Sequence, residues 1–377
     1  MQFYQNYRVG IVGGGQLGRM LIQAGIDWNI HFDVIDPDRE APCSKMAQFT
    51  MGKLTDYEIL LQFGRQCDLI TIEIENVNVE ALKQLVKEGK KVFPQPEVIE
   101  LIQDKRKQKM FYRLHQIPTA EFVLVENAED VQRQKNFLPA VNKLGKEGYD
   151  GRGVQIIRSE SDLPKAFNKP GLLEKLIPFE KEIAVIVARN SAGDIVAYPA
   201  VEMVFHLEAN LVEYLFAPAE LSEAVSREAD RIAKRVIGEL NMVGLLAVEM
   251  FVTRFGEVLV NEVAPRPHNS GHQTIEGNVT SQYQQCLRAI LGLPLGDTGI
   301  LKPTAMINLL GEDGFTGLAK YEGLEEVISE KGVYVHLYGK KITKPFRKMG
   351  HVTITHDNRE VLKQKAAWVK QKLKVKA

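Results

Sequence analysis

The chain is short of cysteine, of net charge and of long apolar runs, and each shortage excludes a class of protein. Three cysteines, Cys43, Cys67 and Cys286, lie far apart in 377 residues. An odd, scattered set builds neither a disulfide framework nor a zinc ribbon, and it suits a reducing cytosol. Lys+Arg and Asp+Glu each number 48, so the formal net charge is zero. That removes any global electrostatic case for nucleic acid or an anionic membrane. No apolar run approaches the roughly 18 residues of a spanning helix. The N-terminus MQFYQNYRVGIVGGG lacks the charged and apolar parts of a cleavable signal. These absences lead us to expect a cytoplasmic protein of two or three domains, without internal repeats.

What is present centres on one stretch. Val243–Phe251 is an apolar run interrupted by Glu249, and Thr253–Glu257 reads as a hairpin turn with Gly256 available for positive φ. Val258–Val263 returns as a second β-rich run carrying Asn261 and Glu262. Paired strands would set Glu249 beside Glu262, with Asn261 adjacent. Two carboxylates and an amide, with no Cys or His at zinc spacing, suit a hard cation such as Mg²⁺ that also holds phosphates. A surface ion-pair lattice is the alternative, but both carboxylates lie within apolar runs, where an unpaired charge is costly.

Upstream, Tyr7–Val12 meets Gly13-Gly-Gly-Gln-Leu-Gly18 and then a helical pattern. A strand, a glycine turn and a helix N-terminus form an anion site. The glycine spacing, with Asp36 about twenty residues on, also matches the dinucleotide fingerprint. Asp68–Glu75 reads as a strand ending in Glu73, Glu75 and Asn76, polar groups that face a ligand crevice or cap the next helix. Gln95–Gln116 reads as one helix with Asp104-Lys105 in its middle, broken at Pro118. A strand then ends on Lys143, and Gly148-Tyr-Asp-Gly-Arg-Gly-Val154 follows. Such a tip is an ordinary hairpin or a flap over a polyphosphate, and the preceding lysine favours the flap. Gly171–Ile177 and Lys181–Arg189 read as strands, and Ser222–Asn241 as an amphipathic helix whose stripe Val225, Ala229, Ile232, Val236 and Leu240 is core. The last region, Pro303–His356, reads as short strands before a closing helix. It contains a basic cluster, Lys340-Lys341 and Arg347-Lys348, either a solvated loop or an anion clamp.

In this order, the pieces resemble the ATP-grasp carboxylate–amine ligases. Gly148–Gly153, Pro265-Arg-Pro-His-Asn-Ser-Gly-His272 and Arg347-Lys-Met-Gly-His351 are similar to signatures of the N5-carboxyaminoimidazole ribonucleotide synthetase family, over essentially the whole chain. The resemblance implies an α/β and α+β architecture. It would have a Rossmann-like parallel-sheet domain (1–102), an ATP-grasp domain (103–296) and a small β-rich domain with a closing helix (297–377). It implies MgATP, bicarbonate and 5-aminoimidazole ribonucleotide as substrates, carboxyphosphate as intermediate, a homodimer, and neither NAD nor biotin; no Met-Lys-Met carrier segment occurs. Lys105 and Lys143 would hold ATP phosphates under the flap Gly148, Tyr149, Asp150, Gly151, Arg152, Gly153 and Val154. Glu174, Lys175, Leu176 and Ile177 would line the adenine, with Glu182 on the ribose, His206 nearby, and Asn261 and Glu262 at the phosphates. Glu249 and Glu262 would bind Mg²⁺. Gln16, Leu17, Glu73, Asn269, Lys340, Arg347 and Lys348 would hold the ribonucleotide, with Asp150, Arg152 and His272 at the reacting carboxylate. The family usually has arginine where Lys105 stands and glutamine where Val154 stands. A related formate-dependent transformylase typically carries aspartate at the place of Asn269. A nicotinamide dehydrogenase would leave the flap and the carboxylate pair unexplained, and a nucleotide sensor could dispense with the basic clamp.

Overall fold

A computed structural model describes residues 7–146, 153–205 and 212–377. The expected flap residues Gly148–Arg152, and His206, lie outside the described residues.

Residues 7–103 form a five-stranded parallel sheet in the order β3-β2-β1-β4-β5. The strands are β1 (Arg8–Val12), β2 (His31–Asp36), β3 (Gln48–Met51), β4 (Leu69–Ile72) and β5 (Lys91–Val92). Val9, Ile11, Val34, Leu69 and Ile70 are fully buried, as a sheet covered on both faces requires. Helix α1 (Gln16–Ile26) packs Leu17, Met20, Leu21 and Ile22 into the core. The strand order reverses between β1 and β4. There their carboxyl ends, Gly13–Gly15 and Glu73, open the crevice that such sheets use for ligands.

Two further helices, α2 (Tyr57–Arg65) and α3 (Val79–Lys87), cover this sheet. The expected single helix over 95–116 is two, α4 (Pro96–Ile102) and α5 (Lys105–Leu114). Asp104 causes the break: its extended backbone stops α4, and its side chain accepts the Arg106 amide at 2.9 Å to cap α5. Lys105 therefore occupies the first position of a helix, and its own N–H donates to the Gly145 carbonyl at 2.7 Å.

A four-stranded sheet follows, in the order β6 (Phe122–Val125), β9 (Gly171–Lys175), β7 (Ala140–Leu144) and β8 (Val154–Ile157). The largest sheet has nine strands among the described residues. Its path runs from β15 (Val258–Ala264) and β14 (Gly244–Thr253) to β10 (Phe179–Arg189), with β11 (Ile195–Ala197) at the side of β10. It continues through β12 (Val201–Phe205), β13 (Val212–Ala217) and β16 (Thr304–Leu310) to the strands Lys348–Thr355 and Val333–Leu337. Residues on both sides of the expected 296/297 boundary thus share one sheet, joined where Tyr214 pairs with Ile307 and Ala217 with Thr304.

Ser222 caps the helix Glu223–Glu239, which packs Ala229, Ile232, Ala233, Val236 and Ile237 beneath β10 and β14. Burying each isoleucine or valine of this set is worth about 1.5–3 kcal/mol. Val225 and Leu240, at the ends of the expected stripe, are only partly buried. No helix among the described residues is long and apolar enough to cross a membrane.

Candidate active site

The hairpin forms as its alternation indicates, with Gly256 at φ +80°. Glu249 stands directly opposite Glu262, but Met250 pairs with Val260, so Asn261 is the extra residue of a bulge. A bulge re-aims a side chain that strict alternation would send to the other face. It lets Asn261 and Glu262 serve one cleft. On β10, Ala184 faces Glu249 and Glu182 lies two residues away, on the same side of the sheet.

Cations converge on these carboxylates. Lys105 Nζ pairs with Glu262, while Lys143 Nζ lies 2.9 Å from Asn261 Oδ1 and 2.7 Å from Glu174 Oε2. Lys105 holds the Glu262 carboxyl well below its ordinary range. Burial, then the charges of Glu262 and Glu182, push Glu249 up. Glu262 is paired with a lysine, while burial raises Glu249 against the pull of Lys105 and Lys348. Among the described residues no group of three or more His, Cys, Asp or Glu could hold a metal unaided. Two carboxylates facing each other on neighbouring strands are a donor set of the kind a hard cation takes.

Glu174, expected along the adenine, instead buries its carboxylate between Lys143 and Lys109, at 2% exposure. The neighbouring Lys175 and Leu176 amides donate to the Glu121 and Pro139 carbonyls at 2.9 and 3.1 Å, fixing the strand exit before Ile177. Glu182 lines a cavity of about 330 Å³ with Phe179, Lys181, Met203 and Phe205. Burial, then the Glu262 charge, raises its carboxyl to about 7. At the flap's described end, Gly153 has φ +75° and its carbonyl accepts the Leu144 amide at 2.9 Å. Val154 pairs with Lys143.

A second cavity, of about 550 Å³, opens at the β1–β4 switch point. Gln16, Leu17, Glu73, Asn269, His272 and Lys348 line it together with Arg266 and His268. Glu73 accepts the Gly15 amide at 2.6 Å and the Leu17 amide at 3.2 Å. Burial pushes its carboxyl up to about 7, against the pull of those donors and of Arg266. A Cβ at Gly15 would stand 2.2 Å from Glu73 Oε1, so a larger residue would have to displace that carboxylate from the two amides it accepts. Both polar atoms of the Asn269 amide are buried without a hydrogen-bond partner. An amide left so beside a cavity is poised for a ligand. Asp36 accepts the Gly14 and Asp38 amides at 2.7 and 2.8 Å, so its oxygens stabilise its own loop.

The basic cluster enters this site only in part. Lys348 lines the cavity. Lys340 Nζ donates to the Lys348 carbonyl at 2.8 Å, and Arg347 to the Ile342 carbonyl at 2.6 Å, so these contacts lie on their own hairpin. His272 is buried, has the Tyr283 hydroxyl 2.8 Å from its Nδ1, and packs on His351 with ring centres 4.7 Å apart. Burial drives its pKa well below the ordinary value.

Three residues escaped the sequence reading. Arg266 forks onto Glu75 at 2.9 and 3.2 Å. His268 places Nε2 3.5 Å from Glu249 Oε1 while lining the second cavity, so it joins the two halves of the site. Burial, then Arg266 and Lys348, lower it to about 3, which leaves a neutral imidazole. Both were legible as polar members of the 265–272 string. Lys109, one turn beyond Lys105 on α5, carried no local signal.

Family models match along the chain: a ribonucleotide synthetase preATP-grasp domain over residues 7–103, an ATP-grasp domain over 110–283, and a phosphoribosylaminoimidazole carboxylase C-terminal domain over 304–365. Fold and site together define an ATP-grasp ligase. The chain is 36% identical over 358 residues to the N5-carboxyaminoimidazole ribonucleotide synthase of Bacillus subtilis (strain 168), a match covering 93% of this chain and 92% of that protein. It superposes on the N5-carboxyaminoimidazole ribonucleotide synthetase of Thermotoga maritima with TM-score 0.90 at 42% identity, covering 98% and 99% of the two chains. For the Aspergillus clavatus synthase in complex with ADP and 5-aminoimidazole ribonucleotide, the TM-score is 0.87 at 31% identity, over 97% and 98%. The chain belongs to the N5-carboxyaminoimidazole ribonucleotide synthase family. It spans 66% or less of the length of several longer relatives, phosphoribosylaminoimidazole carboxylases and a bifunctional purine synthesis protein.

Proposed function

We propose that this chain carboxylates 5-aminoimidazole ribonucleotide with bicarbonate at the expense of ATP, giving N5-carboxyaminoimidazole ribonucleotide, ADP and phosphate. One observation carries the reading: two anion-handling clusters meet at His268. The lysine–carboxylate cluster of Lys105, Lys143, Glu249 and Glu262 lies on one side, and the cavity of Gly15–Leu17, Glu73, Asn269 and Lys348 on the other.

In this reading Lys105 and Lys143 exchange their carboxylate partners for nucleotide phosphates. Glu249 and Glu262 would hold Mg²⁺, which supplies charge neutralisation at the transferring phosphoryl group. A bicarbonate oxygen attacks the γ-phosphorus and the bond to the β-phosphate oxygen breaks, releasing ADP and forming carboxyphosphate. The ribonucleotide amine then attacks the carboxyl carbon. The carbon–oxygen bond to phosphorus breaks, phosphate leaves with the bicarbonate oxygen, and the nitrogen loses a proton. Positioning and electrostatics suffice for both steps, so a protein nucleophile is unnecessary. Neutral His268 is suited to accept a hydrogen bond between the two steps. The buried, unbridged cysteines favour a reducing, cytoplasmic setting, and a homodimer without NAD or biotin belongs to the same reading.

Bicarbonate labelled with ¹⁸O tests it. Label should appear in the released phosphate when ATP and the ribonucleotide are both supplied. Phosphate free of label would exclude carboxyphosphate.

A further inference from the structure

Lys109 is buried, its side chain 4% exposed, and it lies outside every role assigned above. Its ammonium donates to one oxygen of Glu174 and to the Thr119 hydroxyl. Thr119 passes its own proton to the Val260 carbonyl at 2.7 Å, and the Val260 amide returns to the Pro118 carbonyl at 2.8 Å. Val260 immediately precedes Asn261 and Glu262. One ammonium therefore ties α5, the Pro118–Thr119 segment, β9 and, through Thr119, the bulged strand β15. Glu174 has a second cation, because its other oxygen lies 2.7 Å from Lys143 Nζ.

Two cations on one buried carboxylate are more than the carboxylate needs. We propose that Lys109 is a positioning residue, the permanent counter-ion of Glu174, which frees Lys143 to turn to nucleotide phosphates without stranding a buried charge. The proposal rests on the reading above that Lys143 meets the polyphosphate. Before nucleotide binds, Lys143 is shared between Glu174 and Asn261. Once it moves to a phosphate, Glu174 keeps a neutral pairing only through Lys109. Without Lys109, Glu174 would hold Lys143 and compete with ATP, because a buried carboxylate left without a partner is strongly disfavoured. The same competition should not reach the ribonucleotide cavity, which Lys109 does not line.

The experiment measures binding of MgADP and of 5-aminoimidazole ribonucleotide by calorimetry to Lys109→Met, Lys143→Met and the double variant Lys109→Met/Glu174→Gln. Lys109→Met should weaken MgADP on the order of 10- to 100-fold and leave ribonucleotide affinity within about 3-fold. The double variant, having lost charge and counter-charge together, should recover most of the MgADP affinity. If Lys109→Met does not fold, the double variant binding MgADP within about 5-fold of wild type supports the proposal. A folded double variant as weak as Lys109→Met, or both ligands weakening alike, would overturn it. MgADP affinity unmoved by Lys143→Met would instead overturn the nucleotide reading beneath it.

Discussion

At the scale of single residues the site is a set of charges whose partners are provisional. Lys105 rests on Glu262 and Lys143 on Glu174 and Asn261, while Glu249 has His268 Nε2 at 3.5 Å and is pushed up by burial. Neutralising either member of the carboxylate pair should weaken metal and phosphate binding while the fold persists. Glu249→Gln and Glu262→Gln are each expected to lower turnover on the order of 100-fold, partly recovered at high Mg²⁺. Circular dichroism with ADP release at varied Mg²⁺ checks this, and near-normal turnover at low Mg²⁺ would sink the metal assignment. These two residues were legible because a carboxylate inside an apolar run is conspicuous. Lys109 and the true surroundings of Glu174 were not, since their meeting joins residues 65 apart in sequence and no local pattern announces it.

Individual elements were legible where the chain alternates or breaks by its own chemistry. The 244–264 hairpin has two β-rich runs and a glycine at its turn, and both are visible in sequence. The bulge at Asn261 is not, because it depends on where β14 pairs. Continuous helix formers across 95–116 likewise concealed the cap at Asp104. That cap sets where Lys105 projects, so its loss should register twice. Asp104→Ala is expected to cost about 0.5–2 kcal/mol of stability and to weaken MgADP, whereas Asp104→Asn should retain most of both. Urea unfolding alongside nucleotide titration distinguishes them. An alanine variant unchanged in both would mean that the start of α5 is fixed by packing alone.

For the whole molecule, one sheet carries Glu249 and Glu262 at one end and the strand of Lys348 toward the other, while the parallel sheet supplies the glycine turn facing it. The sequence reading set a domain boundary between 296 and 297. The pairing of β13 with β16 across it was not legible in composition: each strand buries apolar residues as any core strand does, and the partner is set by tertiary packing. In the proposed reading, the cleft takes a phosphoryl donor at one side and an amine acceptor at the other, joined at His268. The direct test is a coupled ADP assay crossing bicarbonate or formate with aminoimidazole or glycinamide ribonucleotide, with CO₂ stripped from the formate arms. The account predicts turnover confined to bicarbonate with aminoimidazole ribonucleotide, and turnover with formate and glycinamide ribonucleotide instead would contradict it.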